Sequence, residues 1–465
     1  MPTESPRLLI LGLDSVPPDL LYQRFLPQMP TIRRLLERSR YGTLRTIDPP
    51  ITVPAWAVMF TGVDPGTLGI YGFRHRRAGS YTDQYVPTPR MIRFPTVWDQ
   101  LSRAGRRVCI IGMPPGYPPP VVNGVYIGDF LTPTSAPDFV YPPGLGPEIK
   151  AVAGSYEFDV TFRAEDRSRI GRQLIDMTHH RFAVAKHLWK KERWDFFAIH
   201  EIGPDRIHHT FWKYFDTTHP RYEAHEEYRA LVEEYYRSMD ADIASLLEEV
   251  GPEVRVLVAS DHGSQAMDGC FCINQWLREQ GYLVLKSEPT RVGVPLEETP
   301  IDWTRTKAWG AGGYYARIFF NIKGREPQGT IDPKELPAFR DELRRRLATV
   351  VRPDGVSLSA RAHTPQELYR EVHGDAPDLI AYFGNLRWRS AGTLGHPSLF
   401  LDENDTGPDD SVHSFEGVYA ISAKPGEKTG PTPERSILDV APTILSWYGL
   451  PLPPHLQGKP ISDWA

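Results

Sequence analysis

Three aspartates, three histidines and one threonine stand at points of the chain where a fold could gather them. Asp14 follows the apolar run Leu8-Leu9-Ile10-Leu11-Gly12-Leu13. Thr52 lies in Pro49-Pro50-Ile51-Thr52-Val53-Pro54-Ala55-Trp56, which continues as an apolar stretch to Gly62. Asp205 and His209 are four residues apart, shortly after the run 194–200. Asp261 and His262 belong to Ser260-Asp261-His262-Gly263, and His413 to Ser411-Val412-His413-Ser414. Carboxylates mixed with imidazoles suit zinc, with manganese as the alternative. Six such ligands and a hydroxyl are too many for one tetrahedral ion and right for two. Two ions about 4 Å apart suit phosphoryl transfer, one activating the nucleophile and the other stabilising the leaving oxygen. A threonine hydroxyl is a poor nucleophile at neutral pH, and metal coordination removes that obstacle.

The elements that must position these groups can be read in turn. The run 8–13 reads as a strand buried on both faces of a parallel sheet. Asp14 then falls at its C-terminal end, where open α/β sheets hold their ligands. Pro54 fits the first turn of a short helix that Gly62 can close. Thr52 is therefore near a helix N-terminus, a phosphate site and a capping position at once. Asp205 and His209, at i and i+4, share one helix face. Adjacent strand side chains point to opposite faces, so Asp261 and His262 need a turn to reach one ion, and Gly263 suits that turn. His413 reads as a loop histidine beside the sheet.

Elsewhere helices are expected over 30–39, 96–104, 166–191, 225–249 and 436–448, and buried strands over 107–112, 194–200, 254–260, 378–383 and 417–422. This alternation predicts an α/β protein with a mostly parallel central sheet. Residues 286–375 change character, with polar loops, a strand over 314–322 and a charged helix over 333–350. They read as an inserted cap that interrupts a core formed by 1–285 and 376–465. Arg74-His75-Arg76-Arg77 reads as a solvated basic loop, and Trp309 and Tyr314 as packing residues. Cys270-Phe271-Cys272 lacks the two-residue gap of common zinc pairs and reads as structural.

The 465 residues are 40% hydrophobic and 24% charged, ordinary values for a globular enzyme. A net charge of −5 argues against a nucleic-acid polymer as partner. Three cysteines do not form a disulfide framework. No apolar stretch reaches the roughly 18 residues of a membrane span, and residues 1–7 carry no charged-then-apolar leader. The expectation is a cytoplasmic protein that acts on a small molecule away from the membrane.

Taken together, Gly12-Leu13-Asp14, Thr52-Val53-Pro54-Ala55-Trp56, Asp205-Arg206-Ile207-His208-His209, Ser260-Asp261-His262-Gly263 and the tail Asp439-Val440-Ala441-Pro442-Thr443 resemble the alkaline phosphatase superfamily. Within it the chain is most similar to the type I phosphodiesterase/nucleotide pyrophosphatase branch, and more closely to a prokaryotic group of predicted phosphohydrolases or phosphomutases. It departs from the sulfatases, with Thr52 in place of their Cys or Ser and Trp56 in place of their Arg. The resemblance implies a three-layer α/β sandwich and two divalent ions. One ion would be held by Asp205, His209 and His413. The other would be held by Asp14, Asp261 and His262, with the Thr52 oxygen facing it. It also implies a two-metal phosphohydrolase of phosphodiester or pyrophosphate bonds that works through a phospho-threonine intermediate. The alternatives are a phosphomutase or phosphotransferase that passes the phosphoryl group to an acceptor hydroxyl, and a non-catalytic metal-binding protein.

Overall fold

The strand Arg7–Leu13 lies inside a ten-stranded sheet, paired in parallel with Phe196–Glu201 on one side and Val254–Ala259 on the other. The computed structural model describes residues 6–424 and 426–464. Residues 1–5, part of the segment expected to lack a leader, fall outside them. From one edge the strand order is Gly430–Pro431, Ser39–Arg45, Glu416–Ser422, Val254–Ala259, Arg7–Leu13, Phe196–Glu201, Val108–Ile111, Gly124–Ile127 and Val140–Tyr141, with Arg435–Ser436 also beside Ser39–Arg45. The middle five run parallel, and Glu416–Ser422 joins them antiparallel.

Side-chain alternation in the central strand separates two cores. Leu9, Leu11 and Leu13 enter an apolar cluster with the helices Arg167–Lys191, Gly203–Phe215 and Glu226–Leu247. Leu8 and Ile10 enter the opposite cluster with Thr52–Thr61, Val97–Arg103 and Val440–Trp447. Each of these fully buried aliphatic side chains contributes about 1.5–3 kcal/mol of transfer free energy. The result is helix, sheet and helix in three layers, as the alternating pattern and the resemblance imply. The register sets Gly12 beside both His200 and Ala259, so the three central strands end nearly level. Asp14, the start of the helix Gly203–Phe215 and Ser260-Asp261-His262 thus leave the sheet together at the C-terminal end of these strands. No helix among the described residues is long and apolar enough to cross a membrane.

Beside this core stands a four-stranded antiparallel sheet, ordered Ala308–Ala311, Ala316–Phe320, Leu379–Tyr382 and Arg361–His363. It packs with the helix Leu336–Ala348 around its own apolar cluster. The apolar run over 378–383 reads from sequence as a central-sheet strand, but it pairs here. A strand buried on both faces looks the same in either sheet, because burial and not the identity of the neighbour writes its pattern. The basic loop also differs from its sequence reading. His75 and Arg76 are buried, and Arg76 forms an ion pair with the buried Glu326 at 3.0 Å.

At Gly12 the helix that carries Thr52 lies against the central strand through the Trp56 ring. A Cβ there would lie 2.7 Å from the Trp56 ring and 2.9 Å from the Ile199 carbonyl oxygen. Gly12→Ala should therefore overpack this contact and lower stability by about 1–3 kcal/mol, as read by chemical denaturation. An unchanged midpoint would show that the indole ring moves aside freely.

Candidate metal centre and active site

Thr52 is the first residue of the helix Thr52–Thr61, which Gly62 ends in a left-handed conformation (φ 71°). Its hydroxyl makes no capping bond. Pro54 has no N–H to offer it, and the Ala55 N–H already donates to the Ile51 carbonyl at 2.9 Å. The hydroxyl turns instead to His262 Nε2 at 3.2 Å and Asp14 Oδ1 at 3.5 Å. Asp205 and His209 share one face of the helix Gly203–Phe215. His413, expected in a loop, lies on the strand Ser411–Ser414, opposite Ser264 in an antiparallel pair with Gly263–Ala266. That pairing joins two short polar strands distant in sequence, and neither shows the apolar alternation by which a strand is recognised. All seven side chains are almost fully buried.

Two clusters result. In the first, His209 Nε2 lies 3.3 Å from Asp205 Oδ1 and 3.3 Å from His413 Nε2, and His413 Nε2 lies 3.5 Å from the same Oδ1. Ligand atoms bound about 2.0–2.1 Å from a tetrahedral zinc stand about 3.3 Å apart, so the triangle already has the spacing of three such ligands. In the second, His262 Nε2 lies 3.2 Å from Asp261 Oδ2 and 3.7 Å from Asp14 Oδ1. His262 Nε2 also falls within reach of Asp205 and His413, so it stands between the clusters.

The remaining atoms of these side chains are held from outside. His209 Nδ1 pairs with Asp409 Oδ1 at 2.7 Å, His262 Nδ1 with the Gly263 carbonyl at 3.0 Å, and His413 Nδ1 with the Pro50 carbonyl at 2.7 Å. A proton on each Nδ1 leaves each Nε2 with a lone pair aimed inward. Asp14 Oδ2 accepts from Trp56 Nε1 at 2.8 Å and pairs with His200 Nε2 at 2.7 Å. Asp205 Oδ2 accepts from Arg206 at 2.6 Å. Asp261 Oδ1 accepts from the Ser15 N–H at 3.2 Å, which a left-handed backbone at Ser15 (φ 64°) turns toward it.

Asp205 Oδ1 and Asp261 Oδ2 are buried with no hydrogen-bond partner among the described residues. Burial and the Asp14 carboxylate push Asp261 well above the usual carboxylate range. Burial, then the nearby His413, push the His262 imidazole down to about 3. Burial opposes a charged His209, yet Asp409, Tyr314 and Asp205 together hold it well above the usual histidine range. Crowded acids with orphaned oxygens, facing imidazole lone pairs, are the donor set a pair of divalent cations would satisfy.

Several residues of this site escaped the sequence reading. His200 and Trp56 sit in segments singled out for other reasons, as the end of a buried strand and the body of a helix. Asp409 is fully buried and binds His209, Arg389 at 2.8 Å and Arg163 at 3.0 Å. It lies in a polar loop stretch that resembles any other from sequence. Tyr314, read as packing, places its hydroxyl 3.0 Å from His209 Nε2 and stacks on His413 at 3.8 Å between ring centres. Trp309 does pack, inside the apolar cluster of the smaller sheet.

Compared with known proteins, residues 8–412 match the family model of the type I phosphodiesterase / nucleotide pyrophosphatase. Among solved structures the chain is similar to phosphonoacetate hydrolase from Sinorhizobium meliloti 1021. The complex with phosphonoformate gives a TM-score of 0.61 and that with phosphonoacetate 0.62, each at 15% identity and covering 96% of both chains. At that identity the likeness speaks for the fold. A search of curated proteins finds no match.

Asp409 fixes the ring that offers His209 Nε2, so Asp409→Asn should weaken divalent-ion affinity about tenfold to a hundredfold. Competition with a chromophoric chelator measures it. Wild-type affinity in this variant would show that His209 is oriented by packing alone.

Proposed function

The chain belongs to the type I phosphodiesterase/nucleotide pyrophosphatase family, and from that membership we propose a two-metal hydrolase of phosphodiester or pyrophosphate bonds in which Thr52 is the nucleophile. The observation that carries this reading is the Thr52 hydroxyl, freed from its capping role and set against Asp14 Oδ1 and His262 Nε2. Asp205, His209 and His413 would hold one ion, and Asp14, Asp261 and His262 the other, with the Thr52 oxygen facing the second. Zinc suits this nitrogen and oxygen set, with manganese the alternative. Bound there, the ions would neutralise phosphoryl charge and favour the alkoxide of Thr52.

The chain's own groups supply the rest. Thr52 Oγ1 forms a bond to phosphorus as the bond to the leaving ester oxygen breaks, and that oxygen departs as an alcohol or phosphate. Water then attacks the phospho-threonine, returning the Thr52 hydroxyl and releasing the second product. Trp56 and His200 hold Asp14 in place for both steps, and the start of the helix directs backbone dipoles toward the same point.

A cavity of about 660 Å³ opens beside Ile51 and Tyr314, with Phe73, Phe130 and Phe162 among its walls. Room for an organic group beside the nucleophile supports a diester or pyrophosphate substrate over a simple monoester. Arg74 and Arg317 also line it, with no ion-pair partner among the described residues, which favours an anionic small molecule. The same room supports a second reading, transfer of the phosphoryl group to the hydroxyl of an acceptor seated there. The convergence of six ligands speaks against a non-catalytic binding protein. We place the enzyme in the cytoplasm, with residues 286–375 as a cap over the core formed by 1–285 and 376–465, the strand Leu379–Tyr382 of the second portion completing the sheet of the cap.

Thr52→Ala should abolish turnover while metal content stays near two divalent ions per chain by elemental analysis; a fully active variant, or a fully active metal-free protein, ends the mechanism. Bis-aryl phosphate should be hydrolysed at higher kcat/KM than mono-aryl phosphate, and a clear win for the monoester removes the diesterase preference. Product analysis with an added acceptor alcohol separates hydrolysis from transfer.

A further inference from the structure

Tyr314 comes from the segment between the two core portions, yet its side chain is fixed against the first ligand cluster. Its ring stacks on His413 at 3.8 Å, and the Arg389 guanidinium lies 4.3 Å from the same ring. Its hydroxyl oxygen accepts from Arg163 Nη2 at 3.2 Å and lies 3.0 Å from His209 Nε2. Arg163 also pairs with Asp409 at 3.0 Å, and Asp409 with His209 Nδ1 at 2.7 Å. His209, Asp409, Arg163 and Tyr314 therefore form a closed ring of contacts in which both nitrogens of one imidazole take part. Simple packing would not require the hydroxyl to meet the one atom of His209 that a metal would use.

The proton inventory of this ring gives the hydroxyl a direction. Arg163 can only donate, so it occupies a lone pair of the Tyr314 oxygen and leaves the O–H to donate elsewhere. With the His209 Nε2 lone pair given to an ion, Nε2 no longer accepts. The O–H is then released from that acceptor and stands next to where the ion would hold a phosphoryl oxygen. We propose that Tyr314 is a catalytic hydrogen-bond donor to a non-bridging phosphoryl oxygen of the substrate, with Arg163 as the positioning residue that aims it. This rests on the phosphoryl-transfer reading above. It adds that the inserted segment supplies one of the groups acting on phosphorus. A donor fixed in place before reaction and aimed where negative charge gathers lowers the barrier without reorganising.

Tyr314→Phe keeps the ring and its stacking and removes only the donor. The metal-loaded variant should retain its ion content by elemental analysis, bind inorganic phosphate about tenfold more weakly by calorimetry, and lose about a hundredfold in kcat on a bis-aryl phosphate. Arg163→Gln should weaken phosphate binding to a smaller degree, again with ions retained. Wild-type phosphate affinity in Tyr314→Phe overturns the proposal. So does loss of the ion in that variant, which would make the phenol a ligand. Wild-type affinity in Arg163→Gln overturns the positioning role, and this variant reports independently should Tyr314→Phe fail to fold. If the wild-type protein binds phosphate but cleaves no phosphodiester, the functional reading fails while the binding comparison still decides the role of Tyr314.

Discussion

Each of the six ionisable residues gathered at the candidate metal site divides its polar atoms in the same way. One atom of each carboxylate is held by an N–H from outside the cluster, and the other faces in. Each imidazole is tied through Nδ1 to an oxygen, and its Nε2 faces in. Buried polar groups without partners are expensive, so inward-facing atoms can be kept bare only where something else holds their side chains. The outer contacts do that. They are made by residues of unrelated elements: a helix tryptophan, a strand histidine, a helix arginine, a loop aspartate and three backbone groups. The three-layer fold brings these elements to the edge where the middle strands end. Loosening any one outer contact would let a side chain turn its bare atom away, which is how a fold can fail as a metal site while remaining folded.

The Asp409 carboxylate links this inner arrangement to the cavity beside it. It takes hydrogen bonds from His209, Arg163 and Arg389, and the last two line the cavity wall. Burial opposes its charge, but the neighbouring His209, Arg389 and Arg163 overcome this and hold it well below the usual carboxylate range. A buried acid tied to two guanidinium groups and a histidine N–H resists reorientation, because moving it would strand a buried charge. The cavity wall and the ligand histidine are thereby set relative to one another, although they come from separate stretches of the chain.

Residues that carry chemistry at element ends were legible in the sequence, and those that act through them were not. Asp14 could be found because six apolar residues precede it and a strand must stop there. Asp205 and His209 could be found from their helical spacing, and Asp261-His262 from the glycine after them. His200 closes the expected strand 194–200, but no spacing or neighbouring turn residue sets it apart from any buried polar residue there. Asp409 lies in a polar loop stretch and Tyr314 at the start of an expected strand, where it reads as packing, and the roles of both arise from contacts more than 100 residues away in sequence. The strand Leu379–Tyr382 makes the same point for the fold. Its pattern reports burial, while the identity of its neighbours in the smaller sheet is a long-range fact that no local pattern encodes.

Trp56 shows how one residue can join these levels. In the helix pattern it is an apolar side chain four positions after Thr52, and it packs across the missing side chain of Gly12 in the central strand. That contact sets how closely the helix approaches the sheet. The indole N–H then reaches Asp14 Oδ2, two residues beyond Gly12, and leaves Oδ1 toward the Thr52 hydroxyl at the start of the same helix. The distance from the Thr52 hydroxyl to the Asp14 carboxylate is therefore set by a packing contact, and the orientation of that carboxylate by the polar end of the packing residue together with His200. A phenylalanine at position 56 could fill the space but would leave Asp14 Oδ2 held by His200 alone. Glycine at 12 and an indole at 56 are thus a matched pair, one making room for the ring and the other using that ring to aim the carboxylate.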